Sequence, residues 1–283
     1  MQASACVYGS PRAALQCFFD AVLRSLLILA FALLLGGCRR GEAGGLTLAG
    51  STSVQPFAEL LAEEYMLRHP QSPPINVQGG GSTAGIQAAQ TGAADIGMSS
   101  RELRDDETGL YAITIARDAI AVIVNPRNPV SDLTLEQIRA IFSGQLTNWK
   151  AVGGEDHPIT LVTREEGSGT RGAFQKLVMG EEEIFGEAIV QDSNGAVREL
   201  VASDPHAIGY ISLGIADERV KVIKVNGVEP SIESVERGEY LLVRPFLFVL
   251  KGEPQGLAKD FIDFVLSPEA QELLAQEGLV RVD

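Results

Sequence analysis

Past Cys38 the chain has no cysteine, because Cys6, Cys17 and Cys38 are the only three. That excludes a disulfide framework and a cysteine-ligated metal from everything downstream. Histidine is equally scarce. His69, His157 and His206 flank prolines or lie in polar turns, and no two have the spacing of a metal-ligand pair. Basic residues are outnumbered, 23 Lys and Arg against 37 Asp and Glu, for a formal net charge of −14. This balance argues against nucleic acid as a partner and leaves no broad basic funnel for an anion. Any anion must be held by local donors, against the field of the whole molecule. Signatures of catalysis are missing too. Ser168 has a glycine on each side but lacks the Gly-x-Ser-x-Gly spacing of a nucleophile elbow, and no loop has the Walker spacing with its lysine.

What is present fits a globular protein: 283 residues, 45% hydrophobic and 21% charged, enough for two modest domains. The apolar run 26–35, preceded by Arg24, is too short for a comfortable membrane span. It ends in Leu35-Gly36-Gly37-Cys38, which resembles a bacterial lipobox. The expectation is a signal peptide over 1–37, a start near Val22 or Leu23, lipidation of Cys38, and a flexible tether over 38–45. An uncleaved anchor or an ordinary signal peptide is the alternative.

The most informative stretch is Arg164-Glu-Glu-Gly-Ser-Gly-Thr-Arg171, set directly before a helical pattern. A helix N-terminus carries unpaired N–H groups and the positive end of a dipole, so it attracts anions. Glycines let the backbone approach, hydroxyls add neutral donors, and a guanidinium adds a planar fork. Three further loops share this chemistry: GSTSV at 50–54, GGGST at 79–83 and GMSSR at 97–101. Each also has a bland reading. Ser and Thr at these places cap helices. Arg101 can pair with nearby acids, Arg164 can hold Glu166, Arg171 can lie exposed, and Asn194 can serve a turn.

Hydrophobic pattern places strands at 46–49, 75–78, 94–98, 159–163 and 207–211. It places helices at 56–68, 83–91, 134–142, 171–179, 196–203, 257–266 and 268–276. Alternating strand, loop and helix predicts an open parallel α/β sheet with the four loops at the strands' carboxyl ends, where such sheets bind ligands. Two continuous apolar runs, 119–124 and 246–250, read as paired crossover strands between two lobes. The lobes are 46–124 with 245–283, and 125–244. Asp95 reads as loop support and Trp149 as loop packing.

AGSTSV (49–54), GGGSTAGIQA (79–88), ADIGMSSREL (94–103), REEGSGTR (164–171), SNGAV (193–197) and IGYIS (208–212) together resemble the phosphate-binding proteins of bacterial phosphate ABC transporters. The resemblance implies a two-lobed periplasmic-binding-protein type 2 fold with two crossover hinge strands. It implies inorganic phosphate in the cleft and ABC permease subunits as partner. It also implies a monomeric, non-enzymatic receptor at the cell envelope, with no metal or other cofactor. Carried onto this sequence, the phosphate donors are Thr52, Ser53, Ser82, Ser100, Arg101, Arg164, Ser168, Gly169 and Thr170. Ser51, Thr83, Arg171 and Asn194 are secondary candidates, and Glu166 is the acid that orients Arg164. Ser100 stands where some members carry an aspartate that accepts the phosphate's proton. Another oxyanion (sulfate, molybdate, tungstate) therefore stays open as the ligand, as does a sensory or adhesive role without transport.

Overall fold

The computed structural model describes residues 44–282. The expected signal peptide, the lipidated Cys38 and nearly all of the tether lie outside the described residues. Among the described residues no helix is long and apolar enough to cross a membrane.

The first half of the sheet starts with β1 (Leu46–Gly50), whose serine-rich turn leads into α1 (Gln55–Arg68). Pro56 sits in the first turn of α1, where no N–H is required. β2 (Ile75–Gly79), α2 (Ser82–Thr91) and β3 (Ile96–Ser99) follow, then the long β4 (Tyr111–Val124). The next stretch holds β5 (Asp132–Leu133), α3 (Leu135–Phe142), β6 (Thr160–Arg164), α4 (Gly169–Phe174) and β7 (Ile189–Gln191). After it come α5 (Asn194–Ser203), β8 (Ala207–Ser212), β9 (Lys221–Val222), β10 (Lys224–Val225) and α6 (Ile232–Glu236). The chain closes with β11 (Val243–Leu250), α7 (Gly256–Val265) and α8 (Pro268–Gln276). Thr134 caps α3 in a capping box with Gln137, and a π-helical turn, Gln175–Met179, extends α4.

The main sheet runs β2-β1-β3-β11-β4-β8-β6-β7, with β9 also on β4. The flanks are parallel, β2-β1-β3 on one side and β8-β6-β7 on the other. The centre is antiparallel, so the expected all-parallel sheet holds only for the flanks. β4 and β11 do pair, but the two apolar runs do not face one another. Residues 246–250 face Tyr111–Ala116, whereas Ile120–Val124 pairs with β8. The register explains the difference: Arg244 stands opposite Asp118, with an irregularity between Phe246 and Leu247.

That register also sets where two apolar cores meet. One core gathers Leu48, Phe57, Leu61, Ile96, Ala116, Phe246, Phe248, Phe261 and Leu274. The other gathers Ala119, Ile120, Val122, Ile138, Phe142, Trp149, Phe174 and Tyr210. Both central strands pass from one core to the other, and each carries its buried charge at the change-over, Asp118 on β4 and Arg244 on β11. Two smaller expectations fit: Asp95 Oδ2 accepts from the Thr47 N–H at 2.7 Å, and buried Trp149 donates through Nε1 to the His206 carbonyl at 2.8 Å.

Candidate functional site

The four loops end β1, β3 and β6 and start α2 and α4, and they converge. Ser51, Ser53, Ser82, Ser100, Arg101, Arg164, Ser168, Thr170 and Asn194 are all buried. Buried polar groups need partners, so every hydrogen bond here can be followed. The Ser53 N–H donates to Ser51 Oγ (3.2 Å), and Ser51 Oγ donates to Ser100 Oγ (2.9 Å). The Ser100 N–H donates to Ser82 Oγ (3.1 Å), and the two hydroxyls lie 3.3 Å apart. Ser53 Oγ accepts from Asn194 Nδ2 (2.8 Å) and from Arg244 Nη2 (3.3 Å). A hydroxyl has two lone pairs and one proton, so Ser53 must donate its proton to Thr170 Oγ1, 2.8 Å away. Thr170 keeps its own proton, and between them Ser82 and Ser100 keep at least one.

Arg164 is 1% exposed, and its guanidinium is clamped on one side. Nε and Nη2 form a fork on Glu165 at 2.9 and 3.0 Å, and also reach the carbonyls of Gln191 and Asp192. Nη1 is buried without a hydrogen-bond partner among the described residues. Leaving a charged donor buried and unused is costly, so an acceptor belongs there. Ser168 caps α4 by accepting from the Arg171 N–H at 3.2 Å. Gly169 must be glycine for space: a Cβ there would run into Ser82 Oγ and Ser100 Oγ. Gly81, at φ 87°, turns the chain so that α2 starts against the opposite loop, where the Thr83 N–H donates to the Gly167 carbonyl at 3.1 Å.

The arrangement is a buried cluster in which hydroxyl protons and the Nη1 of one guanidinium are left for a ligand, and no carboxylate accepts from that Nη1 among the described residues. Such a cluster fits a small oxyanion. Among the described residues no group of three or more His, Cys, Asp or Glu is placed to hold a metal.

A model of the PBP superfamily domain matches residues 36–269. The phosphate-binding protein PstS of Bacillus subtilis is 35% identical over 247 residues, 85% of this chain and 81% of that protein. This chain belongs to the PstS family of phosphate-binding proteins. A substrate-binding protein from Clostridium perfringens, solved with bound phosphate, is 44% identical at a TM-score of 0.82, over 85% of this chain and 100% of that one. An ABC-type phosphate transport receptor from Vibrio cholerae is 40% identical at a TM-score of 0.70, over 84% and 100%. The fold is the two-lobed periplasmic-binding-protein type 2 fold.

Within this PstS-family frame several expected roles change. Glu165, not Glu166, holds Arg164, and Glu166 is exposed. The strand β6 ends at Arg164, and the adjacent residue is the one that meets its fork. Arg101 is buried but occupied: Nη1 and Nη2 form a fork on Glu107 at 2.8 and 2.7 Å, and Nη2 reaches Thr83 Oγ1 at 3.2 Å. Among the described residues only its Nε lacks a partner. Burial pushes the Glu107 carboxyl up, but the Arg101 bonds and the Arg104 N–H outweigh it and hold it below the ordinary range. Arg171 turns its Nη1 onto the Arg164 carbonyl at 2.8 Å. Asn194 is no turn residue. It opens α5, donates to Thr52 Oγ1 (3.2 Å) and Ser53 Oγ, and accepts from the Ser212 N–H (3.2 Å).

Two residues escaped sequence reasoning. Asp118 and Arg244 form an ion pair at 2.8 Å, 0% and 1% exposed, beneath the loops. Ser212 Oγ donates to Asp118 at 2.7 Å. Burial pushes the Asp118 carboxyl up, against the pull of Arg244 and Ser212, and pushes the Arg244 guanidinium down. The only signal was a charge inside each central strand, RDAIAVIV and VRPFLFVL.

Proposed function

We propose that this protein captures inorganic phosphate between its two lobes outside the cytoplasm and delivers it to an ABC permease. As a PstS-family member it is a substrate-binding protein, not an enzyme. The observation that carries the ligand reading is the Nη1 of buried Arg164, unpaired among the described residues, together with loop hydroxyls whose remaining protons have no acceptor among them. The relatives, phosphate-binding proteins and receptors of phosphate ABC transporters, point to the same ligand and the same transport system.

On this reading the chain changes lobe at Asp118 and Arg244, so 119–124, expected with the first lobe, pack with the second. Thr170, Ser82, Ser100 and Arg164 supply the charge and protons that meet the anion. Gly169 and Ser168 bring the start of α4 to it, and the loop 50–54 offers the backbone around Thr52. Ser53 serves closure, and Arg101 shapes the wall through Glu107 and Thr83. Ligand held by both lobes stabilises the closed form, which a permease can then distinguish from the open one. Charge-assisted bonds in a buried site supply the affinity. Cys38 would carry the lipid that keeps this monomer at the membrane surface.

A second reading has one observation in its favour. The site has no carboxylate acceptor at Ser100, and a set of donors suits any tetrahedral oxyanion. Equilibrium dialysis against labelled phosphate, with sulfate, molybdate and tungstate as competitors, separates the two. Retention of label against all three supports phosphate, and displacement by one of them reassigns the ligand. Loss of phosphate uptake on deletion of the gene under starvation supports transport, and normal uptake removes it.

A further inference from the structure

We infer that Ser212, Asp118 and Arg244 are positioning residues for anion capture, acting through Ser53 on the proton of Thr170. This rests on the oxyanion site proposed above. Five residues form a closed ring. Arg244 Nη2 donates to Ser53 Oγ at 3.3 Å, and Arg244 Nε donates to Asp118 Oδ2 at 2.9 Å. Ser212 Oγ donates to Asp118 Oδ1 at 2.7 Å, and the Ser212 N–H donates to Asn194 Oδ1 at 3.2 Å. Asn194 Nδ2 returns to Ser53 Oγ at 2.8 Å. All five side chains are buried, so each link has its full low-dielectric strength.

The ring's output is a direction. Two donors fill both lone pairs of Ser53 Oγ, which forces its proton onto Thr170 Oγ1. Thr170 is then barred from donating to Ser53, and its proton is left for the anion. The ring also joins the lobes. Ser53 follows β1, Arg244 and Asp118 sit on the two central strands, and Ser212 and Asn194 end β8 and start α5. It is complete only when loop 50–54 meets α5, so it aims Thr170 only in the closed form. None of the ring's three deeper residues has to touch the ligand.

Asp118 and Asn194 tune this through orientation. Asp118 accepts from both Arg244 and Ser212, which fixes the guanidinium plane that reaches Ser53. Breaking the Ser212 link lets the Asp118 carboxylate and the Arg244 fork rotate, and Ser53 then has a lone pair to offer Thr170. The anion loses one donor without any ligand contact being removed.

The test compares Ser212→Ala in two backgrounds, wild type and Thr170→Val, by calorimetric titration with inorganic phosphate. In the wild-type background Ser212→Ala should weaken binding about tenfold, the worth of one buried hydrogen bond to a charged group. The unligated melting temperature should fall by less than about 4 °C. In the Thr170→Val background the same change should alter affinity less than about twofold, because the proton it aims is gone. A merely structural role would give equal losses in both backgrounds, and that result overturns the inference. So does unchanged affinity of Ser212→Ala when wild type binds phosphate. If wild type binds sulfate and not phosphate, the phosphate reading fails and the ring is judged by the same ratios with sulfate. Binding of neither anion overturns both.

Discussion

Ser53 Oγ and Thr170 Oγ1 stand 2.8 Å apart, although 117 residues of chain separate them. Ser53 belongs to the turn after β1, and Thr170 to the first turn of α4. On the lobe assignment proposed above, their contact joins the two lobes. With the Thr83 N–H on the Gly167 carbonyl, it brings the loops 50–54, 79–83 and 164–171 to one point.

Closure depends on the absence of a side chain at Gly169. Gly169→Ala would drive a methyl group into Ser82 Oγ and Ser100 Oγ, both held in the hydroxyl chain. The two main apolar cores are separate clusters, so the variant should fold and melt much like wild type while losing phosphate binding. Calorimetric titration beside a melting curve checks this, and full affinity would show that the loops do not close on each other as described.

Among the described residues both N–H of Arg164 Nη1 are free, and Glu165 keeps the rest of the guanidinium in place. Arg164→Ala should weaken phosphate binding by about 10- to 150-fold, the equivalent of about 1.5–3 kcal/mol for a hydrogen bond to a charged group. Arg164→Lys should recover little, because an ammonium cannot fill the planar fork on Glu165 and also present a donor to the site. Dissociation constants of the two variants decide it.

Much of this was legible in the sequence, for physical reasons. Apolar runs broken by glycine, serine and proline gave most helices and strands to within a residue or two, from 46–49 through 268–276. The loop motifs pointed to the right convergence. Other features carry no local signal. The two-residue strands β5, β9 and β10 are too short to show periodicity, and β4 starts at Tyr111 because β11 pairs it there. The Asp118–Arg244 pair spans 126 residues, and a charge in an apolar strand does not say what it faces. Which hydroxyl is saturated is likewise a property of the assembled network. Nothing in the sequence says that Asn194 and Arg244 both donate to Ser53.

Asp118→Ala should destabilise the protein by about 3–5 kcal/mol, because it strands a buried guanidinium at the junction of the two cores. Replacing both partners, Asp118→Leu with Arg244→Met, should recover much of that loss while leaving phosphate binding weak. Urea denaturation midpoints measure the first effect and calorimetry the second. A midpoint unmoved in Asp118→Ala would mean that the pair does not hold the crossover.

Acid sensitivity has a definite sign at Glu107. Its carboxyl sits below the ordinary range when folded, so the stability from Arg101 is fully present above the ordinary carboxylate value. It is lost as pH falls through the lowered folded value. Glu107→Gln should therefore be less stable than wild type at neutral pH, with the gap narrowing in acid. Melting temperatures from pH 7 down to pH 3 follow it, and a gap that widens in acid would contradict the assignment.

The central claim is that a donor-lined cleft, without a carboxylate, captures phosphate. Calorimetric titration of the folded protein with phosphate, with and without excess sulfate across pH 5 to 8, tests it most directly. The account predicts saturable binding of one phosphate per chain that sulfate does not displace. Absence of phosphate binding, or its displacement by sulfate, would contradict it.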